Sequence, residues 1–404
     1  MENPKIRFKG FTKDWEQRKL NEVAEKICVG FVGTCEKFYT DESGIPMYRT
    51  GNLNGLSLNR DDLKYVTNEF HQHNQKSQLK AGDILIARHG DSGKAVNYEN
   101  SEEANCLNIV IIRPDFKKCN YKFLTNCINS PECQKHIKSL SAGSTQAVIN
   151  TSEIEKLGVV IPANIDEQNR IARYFSTLDN LITLHQRKCE QTKKLKKYML
   201  QKMFPRNGAK VPEIRFDGFT YDWEQRKLGE IYGSIGNAFV GTATPYYAEH
   251  GHFYLESNNV KDGQINHNAE IFINDEFYEK QKDKWLHTGD MVMVQSGHVG
   301  HAAVIPEELD NTAAHALIMF RNPKEEIEPY FLNYEYQTDK AKKQIENITT
   351  GNTIKHILAS DMQEFVVDIP KYEEQKVIAS YFCKLDNLIT LHQRQHKLHL
   401  NMLL

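Results

Sequence analysis

Side chains that can exchange hydrogen bonds with base edges are grouped in a few segments of both halves of this chain. Arginine, asparagine, glutamine, serine and threonine present donors and acceptors in geometries that match the major groove of DNA. In the first half the candidates are Arg49, Thr50, Asn52, Asn54, Arg88, His89, Ser92, Lys94, Ser144, Thr145 and Gln146. In the second half they are Ser257, Asn258, Asn259, Lys261, Gln295, Ser296, His298, Asn352, Thr353 and Lys355. For any single position, an ordinary solvated loop is the alternative interpretation.

The sequence contains no motif of an enzyme that would act on nucleic acid by itself. A nucleotide-hydrolysing protein needs a glycine-rich phosphate loop ending in Gly-Lys-Ser or Gly-Lys-Thr, and none is present. The Asn/Asp-Pro-Pro-aromatic motif and the glycine-rich cofactor loop of an N6-adenine methyltransferase are also missing. The nearest trace of a nuclease is Glu-Gln-Lys at 374–376, which reads Glu-Gln-Asn at 167–169. We interpret both segments as helix surface. A serine or cysteine nucleophile stays open as an alternative, although nothing in the spacing points to one.

Histidine and cysteine patterns do not indicate a metal site. His71 with His73, and His250 with His252, form His-x-His pairs that would chelate an ion if a third ligand converged on it. These pairs stand at different places in the two halves, so we interpret them as surface or loop histidines. The eight cysteines are irregularly spaced and include no Cys-x-x-Cys pair, which predicts reduced thiols.

Two repeated segments define the elements that must position the loops. Residues 4–22 recur at 212–230 with four changes, and residues 178–187 recur at 385–394 with none. Between these matched ends the two halves diverge strongly. The chain is therefore one frame used twice with two different inserts, which is typical of a protein that makes two different contacts.

Each half ends in a predicted long amphipathic helix. Residues 167–203 contain no glycine or proline, and their apolar residues recur at three-and-four spacing. A second helix is predicted from 373 to the C-terminus. Because two halves related by an approximate two-fold axis would run these helices in opposite directions, we expect an antiparallel two-stranded coil. The alternative is that each helix packs only on its own domain.

The inserts share a predicted fold although their residues differ. Each contains apolar runs suited to buried strands, then a helical stretch, then a polar loop followed by a further strand. The segments that we match are 80–88 with 287–295, 108–114 with 316–322, 122–140 with 330–348, 143–146 with 351–354 and 157–161 with 365–369.

Charge and hydropathy narrow the class of protein only partly. The formal net charge of −2 over 404 residues gives no global sign of nucleic-acid binding. Residues 186–210 hold nine basic residues and one acidic residue, which indicates either a solvated helix face or a stripe facing phosphates or a partner. No apolar run reaches the roughly 20 residues that span a bilayer, and the N-terminus does not read as a signal, so we expect a cytoplasmic protein.

Four motifs that recur in the same order resemble those of the specificity subunit of type I restriction-modification systems. They are Asp-Trp-Glu-Gln-Arg-Lys-Leu at 14–20 and 222–228, Glu-Gln-x-x-Ile-Ala at 167–172 and 374–379, the repeat at 178–187 and 385–394, and Gly-x-Thr at 143–145 and 351–353. The resemblance covers the whole chain.

The resemblance implies a non-catalytic chain with an α+β fold and two pseudo-repeated, mixed α/β target-recognition domains. Two long helices, packed as an antiparallel coiled coil, would join them. The expected domains are residues 1–163 and 209–371, with spacer helices in 164–208 and 372–404. Each domain would read one half of a split, asymmetric DNA site, and the helices would set the distance between the halves.

The resemblance also implies partners. Double-stranded DNA, two methylation subunits and restriction subunits are expected, with S-adenosylmethionine, ATP and Mg²⁺ on those subunits and no cofactor on this chain. The residues expected to contact partners are Leu178, Leu181, Ile182, Leu385, Leu388 and Ile389. Because partners can supply phosphate contacts, we predict weak DNA binding by the chain alone. A two-domain protein–protein scaffold without DNA recognition is the alternative.

Overall fold

The structure is a computed structural model that describes residues 4–54, 57–88, 93–141, 149–206, 208–351 and 355–403. The chain divides into two compact units, residues 1–181 with 403–404, and residues 182–402. Each unit contains both sheets and helices, as the predicted α+β class requires. Among the described residues, no helix is both long enough and apolar enough to cross a membrane.

The first unit holds twelve strands within its described residues. They are β1 Trp15–Lys19, β2 Ala24–Val29, β3 Tyr39–Thr40, β4 Ile45–Arg49, β5 Leu53–Asn54, β6 Ser57–Leu58, β7 Lys64–Val66, β8 Asp83–Ala87, β9 Ala95–Tyr98, β10 Asn105–Leu107, β11 Ile109–Pro114 and β12 Gly158–Pro162. Its helices are α1 Leu20–Val23, α2 Asn68–His73, α3 Tyr121–Asn129, α4 Pro131–Ser141, α5 Thr151–Glu155 and the beginning of α6 Ile165–Lys202.

The second unit repeats this series of elements. Its described strands are β13 Glu224–Lys227, β14 Tyr232–Asn237, β15 Tyr247–Ala248, β16 His252–Leu255, β17 Val260–Lys261, β18 Gln264–Ile265, β19 Phe272–Ile273, β20 Met291–Val294, β21 Ala302–Val304, β22 Ala313–Ala314, β23 Leu317–Pro323 and β24 Val366–Ile369. Its helices, besides the end of α6, are α7 Leu228–Ile231, α8 Asp275–Glu279, α9 Pro329–Glu335, α10 Asp339–Ile348, α11 Ala359–Gln363 and α12 Tyr372–Leu403.

The sheets of the two units have the same strand order. The order β2-β11-β8-β9 in the first unit corresponds to β14-β23-β20-β21 in the second. The order β10-β4-β7-β3 likewise corresponds to β22-β16-β19-β15, and in both cases the first two strands pair in parallel. The matched segments of the two inserts therefore share one fold, as predicted. Every residue of β8 and of β20 is buried, so these strands lie in the cores.

The predicted helical stretches at 122–140 and 330–348 are confirmed, and each is divided into two helices. In the first unit, Pro131 begins α4, since a residue without an N–H is tolerated at a helix start and not inside a helix. In the second unit, the Thr338 side chain accepts a hydrogen bond from the Ala341 N–H and caps the start of α10. Apolar periodicity continues across both breaks and conceals them.

The repeated Glu-Gln pair at the start of α6 is buried, so its interpretation as helix surface was wrong. Glu167 is 1% exposed and takes a two-pronged ion pair from Arg7, with Nε–Oε1 at 2.6 Å and Nη2–Oε2 at 2.8 Å. The Gln168 side chain donates to the Pro162 carbonyl at 2.9 Å and accepts from the Asn120 N–H at 2.9 Å. The helix start is thereby tied to the N-terminal segment, to the end of β12 and to the start of α3.

The second unit builds the same junction from the second copies of these residues. Arg215 donates to Glu374 through Nε at 2.7 Å and through Nη2 at 2.8 Å. Gln375 donates to the Pro370 carbonyl at 2.9 Å and accepts from the Glu328 N–H at 3.0 Å. The repeated sequence motif thus encodes a repeated junction, in which a charge-assisted pair and a bridging amide fix one helix end.

The second half of α6 and α12 run antiparallel within the second unit. Lys196 Nζ lies 2.7 Å from Asp386 Oδ1, and His185 Nδ1 lies 3.2 Å from His392 Nδ1. As the residue number falls along α6, that of its neighbour on α12 rises, which confirms the predicted antiparallel packing.

Histidines form a cluster on this helix pair. Beside its contact with His392, the His185 ring stacks on the ring of His399 at a centroid distance of 5.4 Å. Burial, and then the nearby charges of His392, His399, Lys188 and His396, lower the pKa of His185. The folded state therefore binds its proton less readily than the unfolded chain does.

Loss of the buried carboxylate at the helix start should destabilise the second unit. In Glu374→Gln the Arg215 guanidinium keeps its charge without a carboxylate partner, and we expect unfolding to become easier by about 3–5 kcal/mol. Glu364→Gln is the matched control, because the Lys227–Glu364 pair is solvent-exposed and such pairs contribute little. Urea unfolding curves measure both, and equal curves for the two variants would contradict the assignment.

Acidification should loosen the helix pair through His185. A histidine whose folded pKa is lowered contributes full stability above its unfolded value, about 6.5, and loses it as the pH falls through that value. We expect the drop in melting temperature between about pH 7.5 and about pH 5.5 to become smaller in His185→Gln. In His250→Gln, which changes an exposed histidine of the same unit, the drop should stay as in the unchanged chain.

Candidate nucleic-acid interface

A short 3₁₀ turn follows β4 and carries two of the predicted contacts, Thr50 and Asn52. Thr50–Asn52 forms this turn, and Asn52 is 2% exposed. Its side-chain oxygen accepts from the Arg49 N–H at 2.9 Å, and its amide donates to the Asp61 carbonyl at 3.0 Å. Asn52 thus holds its own loop closed.

The equivalent turn of the second unit is built in the same way. Ser257–Asn259 follows β16, and Asn259 is also 2% exposed. Its oxygen accepts from the Glu256 N–H at 3.0 Å, and its amide donates to the carbonyls of Asn266 and Asn268 at 3.1 and 3.3 Å. Burial of both asparagines, with donors and acceptors used inside the loop, argues against direct base contact by either.

The residue that precedes each turn carries opposite charge in the two units. Arg49 is half-buried and donates to the Asp62 carboxylate at 2.8 Å. At the equivalent place, Glu256 accepts from the Tyr247 hydroxyl at 2.7 Å and contacts His315 Nδ1 at 3.2 Å. Equivalent backbone positions therefore offer different chemistry, which is what two different ligand sequences would require.

A second polar loop cluster forms in the second unit at the end of β20. The Ile357 N–H donates to the Gln295 carbonyl at 3.0 Å, and the Gly297 N–H donates to the Lys355 carbonyl at 3.2 Å. Ser296 Oγ lies 2.5 Å from His356 Nδ1. Residues that are about 60 positions apart in the sequence thus share one surface.

In the first unit the corresponding backbone contact joins the Ile149 N–H to the Arg88 carbonyl at 3.3 Å. Arg88 is half-buried and Lys94 is exposed. The loop segments that would complete this cluster lie outside the described residues, and so do the predicted contacts His89, Ser92, Ser144, Thr145 and Gln146.

The remaining predicted contacts are mostly accessible where the structure describes them. Thr50, Ser257 and Gln295 are half-buried. The exposed members are Asn258, Lys261, His298 and Lys355. The side chain of Asn54 is not described, and Asn352 and Thr353 lie outside the described ranges. The role of these residues in DNA contact stays a prediction.

Sequence reasoning missed Glu256, His315 and His356. His315 is held between the Glu256 carboxylate and the Gly241 carbonyl, the latter at 2.9 Å. The signal for Glu256 was available, because it stands at the position of Arg49 once the two turns are matched. His315 and His356 are brought to these loops by pairings that the local sequence does not reveal.

The His-x-His pairs do not form a metal site in the part of the chain that the structure describes, where no three His, Cys, Asp or Glu side chains are grouped to hold an ion. The interpretation of His71 as a surface residue was wrong, because it is 4% exposed and its Nδ1 lies 2.6 Å from Asn105 Oδ1. His252 stacks on Tyr278 at a centroid distance of 3.6 Å and pairs with Asp275.

The basic run of 186–210 is not one uniform face. Lys196 is withdrawn from solvent in its ion pair with Asp386, in which the side chains are 11% and 14% exposed. Lys193 and Lys197 are exposed, and with Lys342 they line a cleft of about 750 Å³. Lys196 therefore serves the chain's own packing, the exposed lysines fit a solvated face, and a role of the run in facing phosphates or a partner stays a prediction.

The six predicted partner contacts differ in accessibility. Leu178, Leu385 and Ile389 are buried, so they serve the chain's own packing. Leu181 and Ile182 are half-buried, and Leu388 is 44% exposed. On α12 the large apolar residues open to solvent are Val377, Leu388, Leu391, Leu398, Leu400 and Met402.

Comparison with known proteins gives a consistent result. The family model described as "Type I restriction modification DNA specificity domain" matches residues 12–194 and again residues 221–401. A protein of Methanocaldococcus jannaschii, provisionally named type I restriction enzyme MjaX specificity subunit, is 26% identical over an alignment of 402 residues that covers 95% of this chain and 89% of that protein. The MjaVIII specificity subunit of the same organism is 24% identical over 65% of this chain and 63% of its own length.

A solved structure shows the same fold. The S subunit of a type I restriction-modification system from M. genitalium superimposes with a TM-score of 0.66 at 14% sequence identity. The match covers 100% of this chain and 97% of that one.

Replacement of the loop-closing asparagine should affect stability rather than surface chemistry. Asn259→Ala removes three hydrogen bonds and leaves part-buried backbone groups without this partner, so we expect a loss of about 1–3 kcal/mol in unfolding free energy. The neighbouring Asn258→Ala changes an exposed side chain and should leave the urea midpoint unchanged. A stable Asn259→Ala variant would show that the turn closes without this amide.

Proposed function

Because the chain belongs to the type I restriction-modification DNA specificity family, we propose that each of its two target-recognition domains reads one half of a bipartite, asymmetric DNA site. Membership makes the chain the specificity subunit of such a system, and its role is to supply DNA sequence specificity.

One observation carries the bipartite reading: the same backbone frame occurs twice with different side chains at equivalent loop positions. The buried asparagine of the turn is kept in both units, while the residue before the turn is Arg49 in one and Glu256 in the other. Arginine donates to guanine O6 and N7, whereas a carboxylate accepts from cytosine N4. Such a pair of domains suits two half-sites of different sequence.

We propose that the two long helices set the distance between the half-sites and recruit two methylation subunits. The support is an exposed apolar stripe on α12, formed by Leu388, Leu391, Leu398 and Met402, whose spacing places them on one helix face. Leu385 and Ile389 are buried, so they are less suited to this contact than the exposed stripe beside them.

The chemistry would then belong to the partners. We propose that the methylation subunits carry S-adenosylmethionine and flip the target adenine out of the duplex, and that restriction subunits add ATP- and Mg²⁺-dependent cleavage. This chain would contribute recognition alone. Its net charge of −2 fits a reader whose partners provide much of the phosphate contact.

The test is to co-express the chain with the methylation subunits of its host and to map N6-methyladenine across the host DNA. We expect methylation at one bipartite motif. Exchange of residues 230–350 for the insert of another specificity subunit should change one half of that motif only. Exchange of the matching range 22–142 should change the other half only.

Two outcomes of this experiment would contradict different parts of the proposed function. A stable complex that methylates no motif would favour a protein–protein scaffold. A motif in which both halves change after one exchange would contradict the assignment of one half-site to each domain.

A further inference from the structure

We propose that His356, held by Ser296, is a specificity-determining residue for the half-site read by the second target-recognition domain. This inference rests on the proposed function and names a residue of the same interface. Both residues lie in the loop cluster at the end of β20.

The backbone of His356 is fixed on both sides. Its N–H donates to the Thr350 carbonyl at 2.8 Å, and its own carbonyl accepts from the Thr350 N–H at 2.9 Å. On the other side, the neighbouring residues Lys355 and Ile357 bond to Gly297 and Gln295. An exposed residue held in this way loses little further freedom when it binds a ligand, and preorganisation of that kind increases affinity.

The ring of His356 is fixed as well. Its Nδ1 lies 2.5 Å from Ser296 Oγ, which sets the ring orientation. Among the described residues, no partner occupies the other ring nitrogen, Nε2. When the serine hydroxyl donates to Nδ1, Nε2 carries the hydrogen and donates. That donor fits an acceptor on a base edge in the major groove, such as guanine O6 or N7, adenine N7 or thymine O4.

The sequence of the first unit differs at the position equivalent to His356. The backbone contact of Ile149 with Arg88 corresponds to that of Ile357 with Gln295, so position 356 corresponds to position 148. Position 148 is a valine, which has no hydrogen-bonding side chain. The serine–histidine pair therefore distinguishes the two domains, as a determinant of only one half-site must.

The surroundings suit contact with nucleic acid rather than a purely structural bond. Ser296 and Gln295 are half-buried, and His298, Lys355 and His356 are exposed on the same loops. Lys355 provides a positive charge next to the histidine, so a phosphate contact can position the duplex while the imidazole reads a base.

The experiment uses the complex of the full chain with its methylation subunits. The motif is first mapped with the unchanged chain. Initial methylation rates are then measured on duplexes that carry each single-base substitution in the second half-site. The variants are His356→Ala, Ser296→Ala and, as a control, His250→Ala, which changes an exposed histidine of the same unit.

We expect His356→Ala to lose discrimination at one base pair of the second half-site. A mismatched base pair costs about 1–3 kcal/mol, so the preference at that position should fall by about 5- to 150-fold. Ser296→Ala should relax the same position, because the ring is no longer oriented. The first half-site, and the whole profile of His250→Ala, should stay unchanged.

Two results would overturn the proposal. One is an unchanged preference profile in His356→Ala. The other is a uniform fall in rate on all duplexes, which assigns His356 to phosphate contact or to the fold of the loop. If the unchanged chain directs methylation to no bipartite motif, the proposed function fails instead, and the two failures are thereby distinguished.

Discussion

The buried junction at the start of each long helix is the interaction on which the rest of the frame depends. One carboxylate, Glu167 or Glu374, is almost completely removed from solvent and would be costly to bury without its arginine. The guanidinium that pairs with it also donates to a backbone carbonyl within its own copy of the repeated segment. Arg7 donates to the Lys13 carbonyl in 4–22, and Arg215 donates to the Tyr221 carbonyl in 212–230. Three parts of the chain therefore have to come together for the helix to begin.

The neighbouring glutamine extends this constraint to the inserts. Gln168 joins the end of β12 to the start of α3, and Gln375 joins the residue after β24 to the start of α9. The insert is thus fixed to the frame at its base by groups that do not vary between the copies. Loops far from the junction are free to differ, which is how one fold carries both Arg49 and Glu256 at equivalent positions.

Sequence reasoning reached the elements of the fold more reliably than the partners of individual side chains. Periodicity predicts the two long helices, which begin at Ile165 and Tyr372. The repeat predicts that the second half of α6 and α12 run antiparallel. The burial of Glu167 does not follow, because its partner Arg7 is 160 residues away and charged residues on a helix are usually solvated. The burial of His71 was not predicted for the same reason, because its hydrogen-bond partner Asn105 is distant in the sequence. Side-chain contacts at a candidate interface depend on such distant pairings. Composition therefore identifies candidates such as Asn52, but it does not separate residues that stabilise a loop from residues that contact bases.

The contact between the helix pair and the second domain determines which surfaces are left for partners. Tyr334 of α9 donates to Asp386 Oδ2 at 2.8 Å, and Lys196 of α6 donates to the other oxygen of the same carboxylate. Burial raises the pKa of the Tyr334 hydroxyl, so it remains a donor throughout the physiological range. Because Asp386 lies within the repeated segment 385–394, part of that repeat is committed to internal packing. A partner that recognises the repeat must then do so through its outward residues, such as Leu388 and Leu391, and a substitution at Leu385 would act on the partner only by disturbing the helix pair.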